Sequence, residues 1–80
     1  MKEPGYTAVT KMLARLGPLA DHQLRFHPGA LVLRMYRNDY TLLEKHPRAA
    51  KMHGFEIREG AGGIYYRGMH CVPDAALDHE

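Results

Sequence analysis

The sequence predicts an α+β domain of order αββαββ, a four-stranded antiparallel sheet with two helices covering one face in a two-layer packing. Two patterns carry that expectation. Apolar residues recur every three to four positions near 7–16 and across 39–53, as on the buried side of a helix. Four short runs, 23–27, 30–36, 55–59 and 63–69, alternate apolar with polar residues as half-buried strands do.

Ala8, Val9, Met12, Leu13 and Leu16 share one side of the first helix, opposite Thr10, Lys11 and Arg15. Thr7 is placed to cap its start. Gly17-Pro18 reads as its stop, because glycine suits a helix end and proline cannot continue the hydrogen-bond ladder. Leu19 to His22 then serves as a connector. His27-Pro28-Gly29-Ala30 has the make-up of a type II turn, with proline presetting the second position and glycine accepting a positive φ at the third. That turn is expected to join 23–27 and 30–36 into a first hairpin. Asn38 or Asp39 caps a second helix over 39–53, with Leu42, Leu43, Ala49, Ala50 and Met52 on its apolar side. Pro47 interrupts it, so a short helix to about Lys45 is expected to be followed by a second turn or a kinked continuation started by Pro47, and Gly54 ends the segment. The second hairpin spans 55–72 through the connection Glu59-Gly60-Ala61-Gly62-Gly63, and Gly68 reads as a bulge in its last strand. Pro73 ends that strand, and 75–80 forms a frayed tail.

Side chains alternate faces along a strand. A sheet that buries Leu24, Phe26, Leu31, Leu33, Met35, Phe55, Ile57, Ile64 and Tyr66 therefore turns Arg25, Arg34, Arg58 and Arg67 outward. Tyr36 and Tyr65 go with them, and Met69 joins the same open face by parity. Guanidinium groups bind carboxylates and phosphates in bidentate fashion, and tyrosine rings anchor protein interfaces or stack on bases. Arg25, Arg34, Tyr36, Arg58, Tyr65, Arg67 and Met69 are the expected partner-binding residues. The plainer reading is a solvated face whose arginines are partly neutralised by Glu56 and Glu59.

The totals narrow the partner. Eighty residues make one domain, spanning 1–80, and a chain this small buries only about 60% of its unfolded surface. A 45% hydrophobic and 25% charged composition is that of an ordinary soluble domain, not a disordered chain. A formal net charge of +2 is too small for a general nucleic-acid glue, so any electrostatic role must come from local clustering. One cysteine, Cys71, excludes an internal disulfide and makes a reducing cytoplasm the expected home. The N-terminal residues carry no apolar run of the signal-peptide kind, and no segment approaches the roughly 20 apolar residues of a membrane span. No membrane partner is expected.

No catalytic or metal-binding pattern stands out. His46 and His53 are seven apart and His70 adjoins Cys71, which leaves zinc without the paired close spacing it needs. Neighbouring strand residues point to opposite faces, so His70 and Cys71 cannot form a nucleophile–base pair. The glycine-rich connection lacks the lysine-serine ending and the following helix of a phosphate loop. The expectation is therefore no enzyme, no metal and no cofactor.

Asp39-Tyr40-Thr41-Leu42-Leu43-Glu44-Lys45-His46-Pro47, Gly54-Phe55-Glu56-Ile57, Tyr66-Arg67-Gly68-Met69 and Val72-Pro73-Asp74 resemble segments of phage and prophage proteins, including parts of capsid proteins. In those a helix precedes a hairpin of the same kind. The resemblance covers 39–77, about half of the chain, and brings no functional residues with it. In size and single-domain build the chain is also similar to phage-encoded inhibitors of bacterial defence such as anti-CRISPR proteins, an analogy of class only. The resulting expectation is a small, non-enzymatic, cytoplasmic binding protein from a phage or mobile element. It attaches to a protein or ribonucleoprotein as an inhibitor of host defence. The alternatives are a virion or assembly component acting by self-association, and a nucleic-acid-binding module using the arginine and tyrosine face.

Overall fold

A 21-residue helix, α1 (Tyr6–Phe26), takes in the expected first helix, the connector and all but the last residue of the expected first strand. The computed structural model describes residues 5–58 and 60–78. Glu59 of the glycine-rich connection, residues 79–80 of the tail and the N-terminal residues 1–4 lie outside them. The buried stripe Val9, Met12, Leu16 and Ala20 runs without a break past Gly17-Pro18, and that continuity overrides the local stop. Pro18 lies on the exposed side of α1, as does Ala14, whose carbonyl can accept no bond from residue 18. Leu24 is consequently a half-buried helix residue, and Phe26 is 64% exposed instead of buried. The helix starts after Gly5, so Thr7 is inside it and not its cap.

The turn after α1 is as expected, although it joins a helix to a strand. Ala30 N–H donates to His27 O at 3.0 Å, and Gly29 has φ +83°. Strand β1 (Val32–Met35) follows, alternating exposed Val32 and Arg34 with buried Leu33 and Met35. With no hairpin partner behind it, β1 pairs in parallel with the last strand of the chain. Its outer edge is met by α1. The Gln23 carboxamide donates to Arg34 O at 2.8 Å and accepts from Arg34 N–H at 3.1 Å, reproducing the two bonds of a neighbouring strand.

The second helical segment is two helices, α2 (Arg37–Lys45) and α3 (Pro47–Met52), separated by His46. Proline at the first position of a helix gives up no bond, so Pro47 begins α3, which is the expected second turn and not the kinked continuation. Neither Asn38 nor Asp39 caps α2, which starts after Tyr36. Asp39 turns inward, 4% exposed, and takes Arg15 of α1 in a bidentate pair at 2.6 and 3.3 Å. Gly54 ends α3 as expected, with φ +96°. Its N–H donates to Lys51 O at 3.1 Å and Phe55 N–H donates to Ala50 O at 3.0 Å, the paired bonds of a Schellman ending.

Strands β2 (Glu56–Arg58), β3 (Gly63–Tyr66) and β4 (Met69–Pro73) complete the sheet, in the spatial order β1-β4-β3-β2. β2 and β3 are antiparallel, joined through a short 3-10 turn at Gly60–Gly62. The expected bulge at Gly68 is a two-residue hairpin turn between β3 and β4. Arg67 (φ +53°) and Gly68 (φ +82°) are both left-handed, the type I′ geometry that matches strand twist. This turn resets the alternation and sets Met69 opposite Tyr66, so Met69 is 1% exposed and leaves the open face. The tail forms a 3-10 turn over Ala75–Asp78, begun by Asp74 Oδ1 accepting from Ala76 N–H at 2.9 Å.

The result is a small α+β domain with three helices and a four-stranded mixed sheet, where an all-antiparallel sheet with two helices was expected. Its core joins Val9, Met12, Leu16 and Ala20 of α1, Leu43 of α2 and Ala49 and Ala50 of α3 to Leu33, Met35, Ile64, Met69 and Cys71 of the sheet. The helices also touch one another, α1 meeting both α2 and α3. Among the described residues no helix is long and apolar enough to cross a membrane.

Candidate protein-docking face

Strand register assigns the side of the sheet away from that core residue by residue. Val32 is paired with His70, His70 with Tyr65, and Tyr65 with Glu56, one row crossing all four strands. Arg34 is paired with Val72 and Arg58 with Gly63, and the β3–β4 register carried on by two residues sets Val72 opposite Gly63. This second row puts the two arginines at opposite margins, three strand spacings or about 14 Å apart.

The centre of the face is a stack. Arg58 Cζ lies 4.0 Å from the Tyr65 ring centroid, and the His70 ring stacks on Tyr65 with centroids 5.0 Å apart and planes 22° apart. His70 also leans over Gly63, where an added Cβ would come within 2.6 Å of Nε2. Glycine at this place is what lets the ring lie flat on the sheet. The Arg58 guanidinium hydrogen-bonds Glu56, and that contact raises its pKa. Arg34 reaches Asp74 at 3.4 Å, a looser pair that leaves most of its guanidinium to solvent. Val72 supplies apolar area between these charges, and Val32, 46% exposed, adds to it on the same margin as Arg34.

Of the seven residues expected on one face, Arg34, Arg58 and Tyr65 are brought together. The other four are elsewhere. Arg25 is in the last turn of α1 and lines a shallow groove with Pro18, Asp21 and His22. Tyr36 follows β1 into α2 and lies beside Arg15, Asn38 and Asp39. Arg67, in the hairpin turn, pairs with Asp21 of α1 at 2.9 Å, which raises its pKa. Met69 is in the core. The face residues that sequence reasoning did not name are His70, Val32 and Val72, while Glu56 is on the face as the plainer reading had it. Reading Arg67-Gly68 as a two-residue turn would have placed His70 beside Tyr65, since it fixes the parity of everything after it.

The other titratable groups mark structure. Burial pushes the Cys71 thiol up to about 12, well away from the thiolate that nucleophilic or metal chemistry needs. Burial also raises Tyr40, with Glu44 adding to the shift. His53 Nε2 lies 3.1 Å from Thr10 Oγ1 and 3.3 Å from Tyr6 O, with its ring tilted 34° against that of Tyr6 at 4.3 Å between centroids, so this histidine ties α3 to the start of α1. No group of three or more His, Cys, Asp or Glu residues converges on a metal position among the described residues. No protein-family model matches this chain, and neither does any curated protein or solved structure compared with it.

Proposed function

We propose that this protein is a non-enzymatic binding protein that docks a protein or ribonucleoprotein partner on the open face of its sheet. The observation that carries the reading is the register, which sets Arg34 and Arg58 at the two margins around the Tyr65–His70 stack. Such an arrangement fits a partner that offers carboxylates at the margins and a flat apolar area in the middle. The His70 ring is spent on Tyr65 instead of being held by a carboxylate as a general base would be, which favours binding over catalysis. In its most concrete form the partner is a host defence complex and the protein its phage-encoded inhibitor, a version that rests on the segment resemblance and the analogy of class.

The test is affinity capture from the host cell with three baits: the wild-type protein, a Tyr65→Ala/Arg58→Ala double variant, and Lys11→Ala on the exposed side of α1. A partner retained by the wild type and by Lys11→Ala, and lost from the double variant, is the expected result. Removal of Tyr65 as a central anchor should weaken binding by about 2 kcal/mol or more. If the double variant retains everything the wild type retains, the face is not the docking site. If the captured material is nucleic acid whose retention collapses at moderate salt, the nucleic-acid alternative replaces this reading.

A further inference from the structure

The corner where α1 turns into β1 carries a second set of exposed groups, separate from the Tyr65–His70 stack. Four large hydrophobic residues are exposed among the described residues, and three of them are here: Phe26 at 64%, Leu31 at 77% and Val32 at 46%. Phe26 and Leu31 flank the His27–Ala30 turn directly. A groove lined by Gln23, His27, Ala30, Leu31, Val32 and Arg34 opens beside them. Exposed apolar side chains gathered in one place are the usual mark of an interaction site in a small domain.

The charge of the segment that builds the corner is one-sided in sequence. No Asp or Glu occurs between Asp21 and Asp39, while Arg25 and Arg34 and the histidines His22 and His27 fall in that interval, and Arg34 and His27 line the groove. The two acids that bound it are engaged elsewhere, Asp21 with Arg67 and Asp39 with Arg15. Asp74 approaches Arg34, at 3.4 Å. A second copy of the chain docked symmetrically here would set these cations against their own images, which disfavours a homodimer. A phosphate backbone would find no lysine in the interval and would leave Leu31 and Val32 unused.

We propose that this corner is a peptide-binding site for an acidic segment of a partner protein, with one or two apolar anchors set between carboxylates. The anchors cover Leu31 and Phe26, and the carboxylates reach Arg34 and His27, which both line the groove. Val32 and Arg34 belong both to the groove and to the sheet face, so the site adjoins that face, but it does not depend on the Tyr65–His70 stack.

The probe is a pooled library of short synthetic peptides with two randomised apolar positions between glutamates, and a matched library flanked by lysines. Binding is followed by backbone amide signals of the isotope-labelled wild-type protein. The expected result is a saturable shift confined to residues 22–34 with the acidic library and none with the basic one. Leu31→Ser should weaken the selected peptide about tenfold and Arg34→Gln by a similar factor, while Tyr65→Ala leaves it unchanged. Unperturbed thermal melting of the Leu31→Ser variant serves as the folding control. No shift at millimolar peptide, equal shifts with the lysine library, or shifts centred on Tyr65 and Arg58 would each overturn the assignment. Tighter binding of a single-stranded oligonucleotide at the same residues would overturn it as well.

Discussion

On the helix side of the sheet, Leu33, Met35, Ile64, Met69 and Cys71 are shut away from water. One residue along each strand, Val32, Arg34, Tyr65, His70 and Val72 meet it. The two faces share the same backbone hydrogen bonds and differ only in parity, yet they carry different burdens. The helix face holds the domain together through close packing. The other contributes little to that and holds groups that attract one another loosely: a stacked Arg58–Tyr65–His70 trio and an arginine 3.4 Å from its carboxylate. Substitutions should therefore sort by face into losses of stability and losses of binding.

The sharpest contrast is expected from Leu33, fully buried at the centre of β1. Leu33→Ala should lower unfolding free energy by about 2–5 kcal/mol, read as a lower urea midpoint, against well under that for Tyr65→Ala. Equal losses from the two would break the division between faces. Next comes the Arg15–Asp39 pair, where exposure is unequal. Arg15→Ala leaves a buried carboxylate without its cation and should cost about 2–3 kcal/mol. Asp39→Asn leaves only a half-exposed guanidinium that water can serve, so it should cost about half as much. The reverse order would mean that Asp39 is held by something other than Arg15.

Cys71 gives the helix face a dependence on pH. Its folded pKa, about 12, is raised above the ordinary 9.0, so the unfolded chain releases the thiol proton first. Stability from this group is therefore complete below pH 9.0 and is lost as pH rises toward 12, by at most about 1.4 kcal/mol per unit. Chemical denaturation at stepped alkaline pH should show that slope, and Cys71→Ala should flatten it. Gln23→Ala removes two hydrogen bonds to the backbone of Arg34 and should cost about 1 kcal/mol; light scattering would show whether the freed edge also associates. The smallest effect belongs to Arg67, whose pair with Asp21 is exposed on both sides, so Arg67→Ala should leave the melting temperature where it was.

Local chemistry carried much of this architecture into the sequence, and long-range pairing carried the rest. The Pro28-Gly29 turn, the Gly54 ending, and the outward positions of Arg34, Arg58 and Tyr65 all rest on neighbours within a few residues, and all were legible. The extension of α1 was not, because Gly17-Pro18 is a strong local stop that only the unbroken stripe from Leu16 to Ala20 overrules. Gln23-Leu24-Arg25-Phe26-His27 alternates well enough for a strand, and so short a run cannot separate the two periodicities. The error spread: with no strand at 23–27, β1 had to find its partner 38 residues further on, as the pairing of Val32 with His70 shows. Met69 was lost in the same way, through one unrecognised two-residue turn. The candidate face was half legible, its arginines, Tyr65 and Val32 by parity, its His70 and Val72 only once the turn is known.

The parallel seam between the first strand and the last has a consequence for synthesis. As the chain leaves the ribosome, β1 is made long before β4, and β4 is the strand that sits between it and the rest of the sheet. Until residues 69–73 emerge, neither β1 nor β3 can complete its ladder, so the nascent protein waits with its central seat empty. Assembly is then governed by a contact that is distant in sequence, which favours a late, concerted closure over piecemeal growth from the N-terminus.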